Sequence, residues 1–275
     1  MADAPLRSVV EVADDPAGRV AAVVSAAAAS AISSRGAFSV AIAGGSLVKM
    51  LGAMAGMPDV QWDKWHVAWV DERCVPHADA ESNYGGALAA WLSKVPIPAA
   101  QVHAIDESLC PGGGGAAVAE AAAAEYQSRL KALAPEVLPR TDGGLPIFDL
   151  LLLGFGPDGH ICSLFPGHPL LEDTSGNWIL PIADSPKPPP ERITLSMLAV
   201  HGAAQIVLVG TGDGKNEIVK AALTPGSRLP CALTLPKKPT WILDAAAAAM
   251  ITEGAAPEEG SGPMPYELRM IGAEA

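Results

Sequence analysis

The sequence predicts an α/β fold: a doubly wound, mainly parallel sheet with helices on both faces. Three observations carry this. Short β-rich apolar runs alternate with Ala-rich helical stretches for most of the length. Residues 147–153 (IFDLLLL) form a nearly continuous apolar run, the pattern of a strand covered on both faces. Three such runs end in Gly-rich or charged loops, and open parallel sheets bind ligands at the carboxyl ends of their strands.

The elements follow in order. Residues 8–12 are a short strand-like run. Asp14, Asp15 and Pro16 then open a long Ala/Val helix, with Asp at the cap and Pro in the first turn. Residues 37–43 (AFSVAIA) give a strand that stops at Gly44-Gly45, and a helix over about 47–55 follows. Residues 66–70 (HVAWV) are the next strand, ending in Asp71-Glu72-Arg73. Ser82 caps a helix reaching about residue 93, and 102–105 is another short strand. Pro111 and glycines 112–115 break the chain before an Ala-rich helix around 116–134. The 147–153 strand runs into Gly154, and 178–182, 193–195, 206–210 and 241–243 are further strands. Residues 213–223 form a helix between the last two, and 244–250 another after them. Residues 185–190 (SPKPPP) and 229–239 are Pro-rich loops. The layout is Rossmann-like, with no internal repeat.

With 275 residues, 49% of them apolar, the chain has material for one large core, near the upper size that a single core supports. We expect one domain over residues 1–252 and a low-complexity C-terminal tail over 253–275. No uninterrupted apolar run reaches the ~20 residues that span a bilayer. Residues 1–10 lack the basic and apolar regions of a signal peptide, so a soluble, unsecreted protein with no membrane partner is expected. The formal net charge is −12 with only 18 Lys and Arg, and no basic run is present, which argues against a nucleic-acid partner. A small anion remains compatible, because a few cations gathered at one site outweigh a distant negative surface. Cys74, Cys110, Cys162 and Cys231 are scattered without a C-x-x-C pair, and read as reduced thiols of a cytosol-like compartment. Cys162 lies beside the candidate site, where a small buried filler is a better reading than a nucleophile.

Three loops carry candidate chemistry. Gly44-Gly45-Ser46 leaves a strand and enters a helix; glycines let backbone approach a ligand, and free N–H groups there suit an anion. A tight strand–helix turn would look the same. Residues 154–160 (GFGPDGH) formally contain G-x-G-x-x-G, but Asp158 would put a carboxylate inside a phosphate cradle. Ser163-Leu164-Phe165-Pro166-Gly167 also breaks the helix that a dinucleotide site needs. Asp158 and His160 fit better as a carboxylate–imidazole pair, the imidazole a general base and the carboxylate fixing its tautomer. A lone D-x-H is more often structural. Residues 210–215 (GTGDGK) resemble a P-loop superficially, yet Val209 stands where its first Gly belongs and Asn216 where Ser or Thr follows the Lys. Lys215 still directs a cation toward the sheet's edge, although alone it reads as a solvated surface residue. The six histidines are dispersed and no cluster has ligand spacing, so neither metal nor cofactor is expected.

Together these loops resemble 6-phosphogluconolactonases. The resemblance rests on Ala43-Gly44-Gly45-Ser46, on residues 70–76 (VDERCVP) with Ser82-Asn83-Tyr84, and on 153–160 (LGFGPDGH) continuing to 163–167 (SLFPG). Residues 190–195 (PERITL) and the Lys215 loop belong to it too, and the matches keep the family's order over about residues 9–244. Residues 65–70 (WHVAWV) and 184–189 (DSPKPP) look most like plant and green-algal members. The resemblance implies a fold shared with glucosamine-6-phosphate deaminases, and hydrolysis of 6-phospho-D-glucono-1,5-lactone to 6-phosphogluconate in the oxidative pentose phosphate pathway. It implies His160 as the base that activates water, with Asp158 orienting it. Arg73, Arg192 and Lys215 then stand near the substrate's phosphate and acid groups, Arg73 or loop amides meeting the oxyanion. Gly44, Gly45 and Ser46 correspond to part of the phosphate cradle, and Asn83 joins the substrate-binding set. Asp71 and Glu72 are left to hold Arg73. One departure is that many members read Gly-Gly-Ser-Thr-Pro, whereas Leu47-Val48 follow Ser46 and a hydroxyl donor is missing.

Two rival readings share the fold. Deaminases read Phe-Asn-Glu-Pro-Gly after this loop, and here Phe165 stands where their Glu would. Sugar-phosphate-sensing regulators carry a helix-turn-helix and a basic surface that this chain does not show. The expected partner is a phosphorylated sugar lactone, met by a monomer or weak homo-oligomer in the cytoplasm or plastid stroma.

Overall fold

The computed structural model describes residues 7–252 and 266–272. The first half of the chain runs β1 (Ser8–Ala13), α1 (Pro16–Arg35), β2 (Phe38–Ile42), α2 (Ser46–Leu51), β3 (Trp65–Trp69), β4 (Asp71–Arg73), α3 (Asn83–Ala90) and β5 (Val102–His103). It continues through α4 (Ala116–Lys131), β6 (Leu150–Gly154), β7 (Ile179–Ile182), β8 (Arg192–Leu195), α5 (Met197–Gly202) and β9 (Ile206–Gly210). Then come α6 (Asn216–Leu223), β10 (Thr240–Leu243), α7 (Ala245–Thr252) and β11 (Tyr266–Ile271). Helix starts sit where cap chemistry places them. Asp15 accepts from the Gly18 N–H at 3.0 Å ahead of Pro16, and Ser82 accepts from the Gly85 N–H at 3.1 Å.

The main sheet is parallel throughout, in the order β11-β1-β10-β9-β6-β2-β3-β5. From β2 the chain moves outward to β3 and β5, then returns to β6 on the other flank of β2 and proceeds through β9 to β10. The winding reverses between β2 and β6, so their carboxyl ends frame the crevice where doubly wound sheets take ligands. Side chains alternate between two cores. Val40, Ile42, Leu150 and Leu152 pack with the buried faces of α1, α2 and α3, while Ala41, Leu151 and Leu153 pack with those of α4 to α7. Helix α1 is long and apolar enough by composition to cross a membrane; in the fold its Val20, Ala21, Val24, Ala28 and Ala31 lie buried on the sheet.

The structure departs from expectation at several places. Asp71-Glu72-Arg73, expected as a loop, is a strand in a separate antiparallel sheet ordered β4-β8-β7. The chain changes sheets at Val70, whose carbonyl accepts from the Leu195 N–H at 2.7 Å. β6 starts at Leu150 rather than 147, because Asp149 takes the Ser39 N–H at 2.8 Å and an ion pair with Arg35 at 2.7 Å. Helix α5 lies where no element was expected. The low-complexity tail expected over 253–275 is corrected within its described part. There β11 pairs in parallel with β1, from Ser8 opposite Tyr266 to Ala13 opposite Ile271. On this edge strand Glu267 and Arg269 are exposed and pair with each other at 2.8 Å, so the segment looks too polar for a strand.

Candidate active site

The floor of the crevice is the loop leaving β2. A Cβ at Gly44 would stand 1.9 Å from Asn83 Oδ1, so only glycine lets this backbone close against Asn83. Asn83 Nδ2 donates to the Asp71 carbonyl at 2.9 Å, which fixes the amide over the loop. The start of α3 is held by Glu72, whose buried carboxylate accepts the Arg73, Asn83 and Tyr84 backbone N–H groups at 2.8, 2.8 and 2.7 Å. Burial pushes the Glu72 carboxyl up to about 7, and those backbone donors pull the other way.

The loop leaving β6 presents the candidate base, His160. A Cβ at Gly156 would sit 2.1 Å from His160 Nδ1 and 2.3 Å from Asp158 Oδ1, so this glycine makes room for the pair itself. His160 Nδ1 lies 2.5 Å from Asp158 Oδ1. With the Nδ1 proton donated to that carboxylate, Nε2 is left with the lone pair. Burial holds the imidazole below its ordinary pKa; Asp158 opposes this and Lys187 reinforces it. Burial disfavours the Asp158 carboxylate, yet His160 and Lys187 outweigh burial and hold its pKa below the usual range.

The antiparallel sheet forms the opposite wall. Arg73 and Arg192 are register partners across β4 and β8, a like-charge pairing that an anion between them relieves. Burial, then the Arg73 charge, lowers the Arg192 pKa. Arg73 Nη1 donates to the Glu81 carbonyl at 2.7 Å and to its carboxylate at 3.2 Å, while the buried Nε has no hydrogen-bond partner. Arg192 is 3% exposed and donates to the carbonyls of Lys187, Pro188 and Pro189 at 2.8, 2.9 and 2.9 Å. Ser163 ties the two walls together: its Oγ donates to Asp71 Oδ2 at 2.7 Å and its N–H to Thr194 Oγ1 at 3.1 Å.

Between these walls is a cleft of about 210 Å³. Gly44, Gly45, Ser46, Arg73, Asn83, His160 and Arg192 all line it, so most residues singled out in the sequence meet in one place. Asp158 stands behind His160. Lys215 is not among the lining residues; its Nζ donates to the Phe155 carbonyl at 2.5 Å, and burial and then Lys187 lower its pKa. Cys162 lines the cleft with its thiol pushed well above the usual range by burial, as suits a filler rather than a nucleophile. Sequence reasoning missed Lys187, whose Nζ lies 3.2 Å from His160 Nδ1 and 3.3 Å from Asp158 Oδ1. A lysine in a Pro-rich loop gave no signal of that contact. Among the described residues no three His, Cys, Asp or Glu side chains gather as metal ligands. The arrangement can take a proton from water at Nε2 and meet negative charge with two guanidiniums.

Known proteins align with this frame. Residues 11–243 match the family described as glucosamine-6-phosphate isomerases/6-phosphogluconolactonase. A rice protein named probable 6-phosphogluconolactonase 4, chloroplastic, is 44% identical over 228 residues, covering 79% of this chain and 68% of its own. The 6-phosphogluconolactonase of Rattus norvegicus is 39% identical over 261 residues, 90% of this chain and 96% of its own. Among solved structures, 6-phosphogluconolactonase from Trypanosoma brucei superposes with a TM-score of 0.73 at 26% identity, covering 89% of this chain and 98% of that one. This chain therefore belongs to the family of glucosamine-6-phosphate isomerases and 6-phosphogluconolactonases.

Proposed function

We propose that this protein hydrolyses 6-phospho-D-glucono-1,5-lactone to 6-phosphogluconate, the ring-opening step of the oxidative pentose phosphate pathway. The observation that carries the reading is the Asp158-held His160 facing Arg73 and Arg192 across one cleft. The lactonase names of the rice and rat relatives support it. His160 Nε2 removes a proton from water as the water oxygen bonds to C1. Asp158 keeps the Nδ1 proton in place and stabilises the imidazolium that forms. Arg73, which lines the cleft, and nearby loop amides meet the oxyanion. The bond from C1 to the ring oxygen then breaks, and His160 returns its proton to that oxygen. Arg192, Asn83 and the Gly44, Gly45 and Ser46 loop hold the phosphate, and Lys215, seated on the Phe155 carbonyl beside the cleft, adds positive charge near it. Water and His160 complete every bond change, so the step needs no redox cofactor.

The test is proton release from freshly made 6-phosphogluconolactone, corrected for spontaneous hydrolysis. Acid release well above the spontaneous rate is expected; its absence sinks the reading. The deaminase alternative predicts ammonia from glucosamine 6-phosphate. Against it, Phe165 lies with its ring centroid 4.8 Å from that of His160, at the position where the deaminase loop carries a carboxylate. The compartment we infer is the plastid stroma or the cytoplasm, the plastid reading being supported by the chloroplastic relatives.

A further inference from the structure

We propose that Lys187 is a positioning residue for this reaction, its ammonium seated beside the Asp158–His160 pair so that His160 stays unprotonated at Nε2 and free to act on water. The proposal rests on the reading of His160 as the general base.

The placement is built from both ends. The Lys187 N–H donates to Ser185 Oγ at 3.3 Å, and the Lys187 carbonyl accepts from Ser185 Oγ at 2.9 Å and Arg192 Nη2 at 2.8 Å. The backbone is thereby fastened to a guanidinium that itself lines the cleft. At the other end the ammonium stands 6.0 Å from the Phe165 ring centroid, and that ring packs against His160. Nζ then reaches both members of the pair, at 3.2 Å from His160 Nδ1 and 3.3 Å from Asp158 Oδ1.

The charges around His160 explain why a cation belongs there. Asp158 on its own loop and Asp71 from β4 both favour the imidazolium, and Lys187 opposes them. Arg73 and Arg192 line the same cleft, and Lys215 sits on the Phe155 carbonyl near Lys187. A bare carboxylate–imidazole pair carries a net negative charge and captures a proton readily. Adding Lys187 makes the trio neutral with a neutral imidazole, so a further proton is disfavoured. Asp158 can then orient the ring without turning it into an acid before water arrives.

The experiment compares wild type, Lys187→Met and Lys187→Arg. In each unliganded protein the His160 ring is titrated by NMR, its signals assigned with His160→Gln, and kcat and KM are measured across pH. In Lys187→Met the His160 midpoint and the acid limb of kcat/KM should both rise by roughly 0.5–1 pH unit, and Lys187→Arg should restore them. The plateau kcat should stay within about threefold, because a more basic imidazole partly offsets any lost order. A His160 midpoint that Lys187→Met leaves unmoved overturns the proposal, whatever the activity. A raised KM with an unmoved acid limb also overturns it and makes Lys187 a substrate ligand. His160→Ala with full turnover would instead remove the base assignment itself, a separate failure that the NMR titration does not share.

Discussion

His160 and His103 are both withdrawn from water and both paired through a ring nitrogen, yet the sheet uses them in opposite ways. His160 stands beyond the carboxyl end of β6 with a carboxylate 2.5 Å away, so burial and its partner pull its pKa in opposite directions. His103 lies on β5, at the sheet's far edge, stacked on His66 at an interplanar angle of 8° with their nitrogens 3.1 Å apart. There burial, His66 and Arg129 all push the same way, down to about 4. The first imidazole is subject to opposing pulls, burial and Lys187 against Asp158 and Asp71, as a proton-exchanging group requires. The second is held neutral near pH 7, as a packing group. Burial alone does not distinguish an acid–base residue from a structural one; the sign of the partner's charge does.

The largest effect should come from removing the active pair. His160→Ala should lower kcat by about 10²–10⁴-fold with little change in binding, measured by single-turnover acid release. Asp158→Asn should also impair turnover, since the tautomer loses its anchor. In wild type, kcat/KM should fall only below the ordinary imidazole value of about 6.5, because burial holds His160 lower. An acid limb above that value would contradict the geometry.

A gentler change keeps both members and moves them. Gly156→Ala places a Cβ within 2.1 Å of His160 Nδ1, so the pair must shift by a sizeable fraction of an ångström or more. Displacement on this scale costs on the order of 10²-fold in kcat. Near-normal turnover with an intact fold by circular dichroism would show that the pair's exact seat is not what catalysis needs.

How much of this was legible in the sequence follows from which interactions are local. Gly44, Gly156 and the D-x-H spacing announce themselves, because turns and glycines act over a few residues. The strands of the main sheet other than β11 are legible as apolar runs for the same reason. The second sheet is not: Asp71 is 6% exposed and Glu72 1%, and charged residues are so seldom buried that the segment reads as a surface loop. Its role depends on β8, more than a hundred residues later, and only that register sets Arg73 opposite Arg192. Lys187 was invisible because its contact is made by a folded Pro-rich loop, and β11 because an edge strand needs few apolar side chains.

The cations come next in size. Charge-assisted hydrogen bonds contribute roughly 1.5–3 kcal/mol each, so Arg192→Ala or Lys215→Ala should cost about 10- to 150-fold in kcat/KM, mainly through KM. Arg192→Ala should also loosen the loop that carries Lys187, so its His160 titration should move as well, whereas that of Lys215→Ala should move less. Unphosphorylated gluconolactone, which lacks every phosphate contact, should be a poorer substrate for wild type than the phosphorylated lactone is for either variant. Equal kcat/KM on the two lactones would remove the phosphate-site assignment.

The smallest effect on turnover should come from the other histidine pair, and it is the sharpest check on the comparison. His103 has a folded-state pKa of about 4, below the roughly 6.5 of an unfolded imidazole. The fold therefore binds fewer protons than the unfolded chain between those values, and stability decreases as pH drops through that window. It is complete above about pH 6.5 and declines toward pH 4, with roughly 2–3 kcal/mol lost by about pH 4.5. His103→Gln removes the titrating group while keeping a polar side chain near His66. Urea unfolding at pH 7.5 and 4.5 should show a smaller acid loss for this variant by about that amount. Its kcat at pH 7.5 should stay within about twofold of wild type, since the pair lies at the sheet edge and does not line the cleft. An unchanged acid loss would show that other groups set the stability profile. A collapse of kcat without loss of fold would show that the far edge of the sheet is coupled to His160, and the two imidazoles would no longer be separate in function.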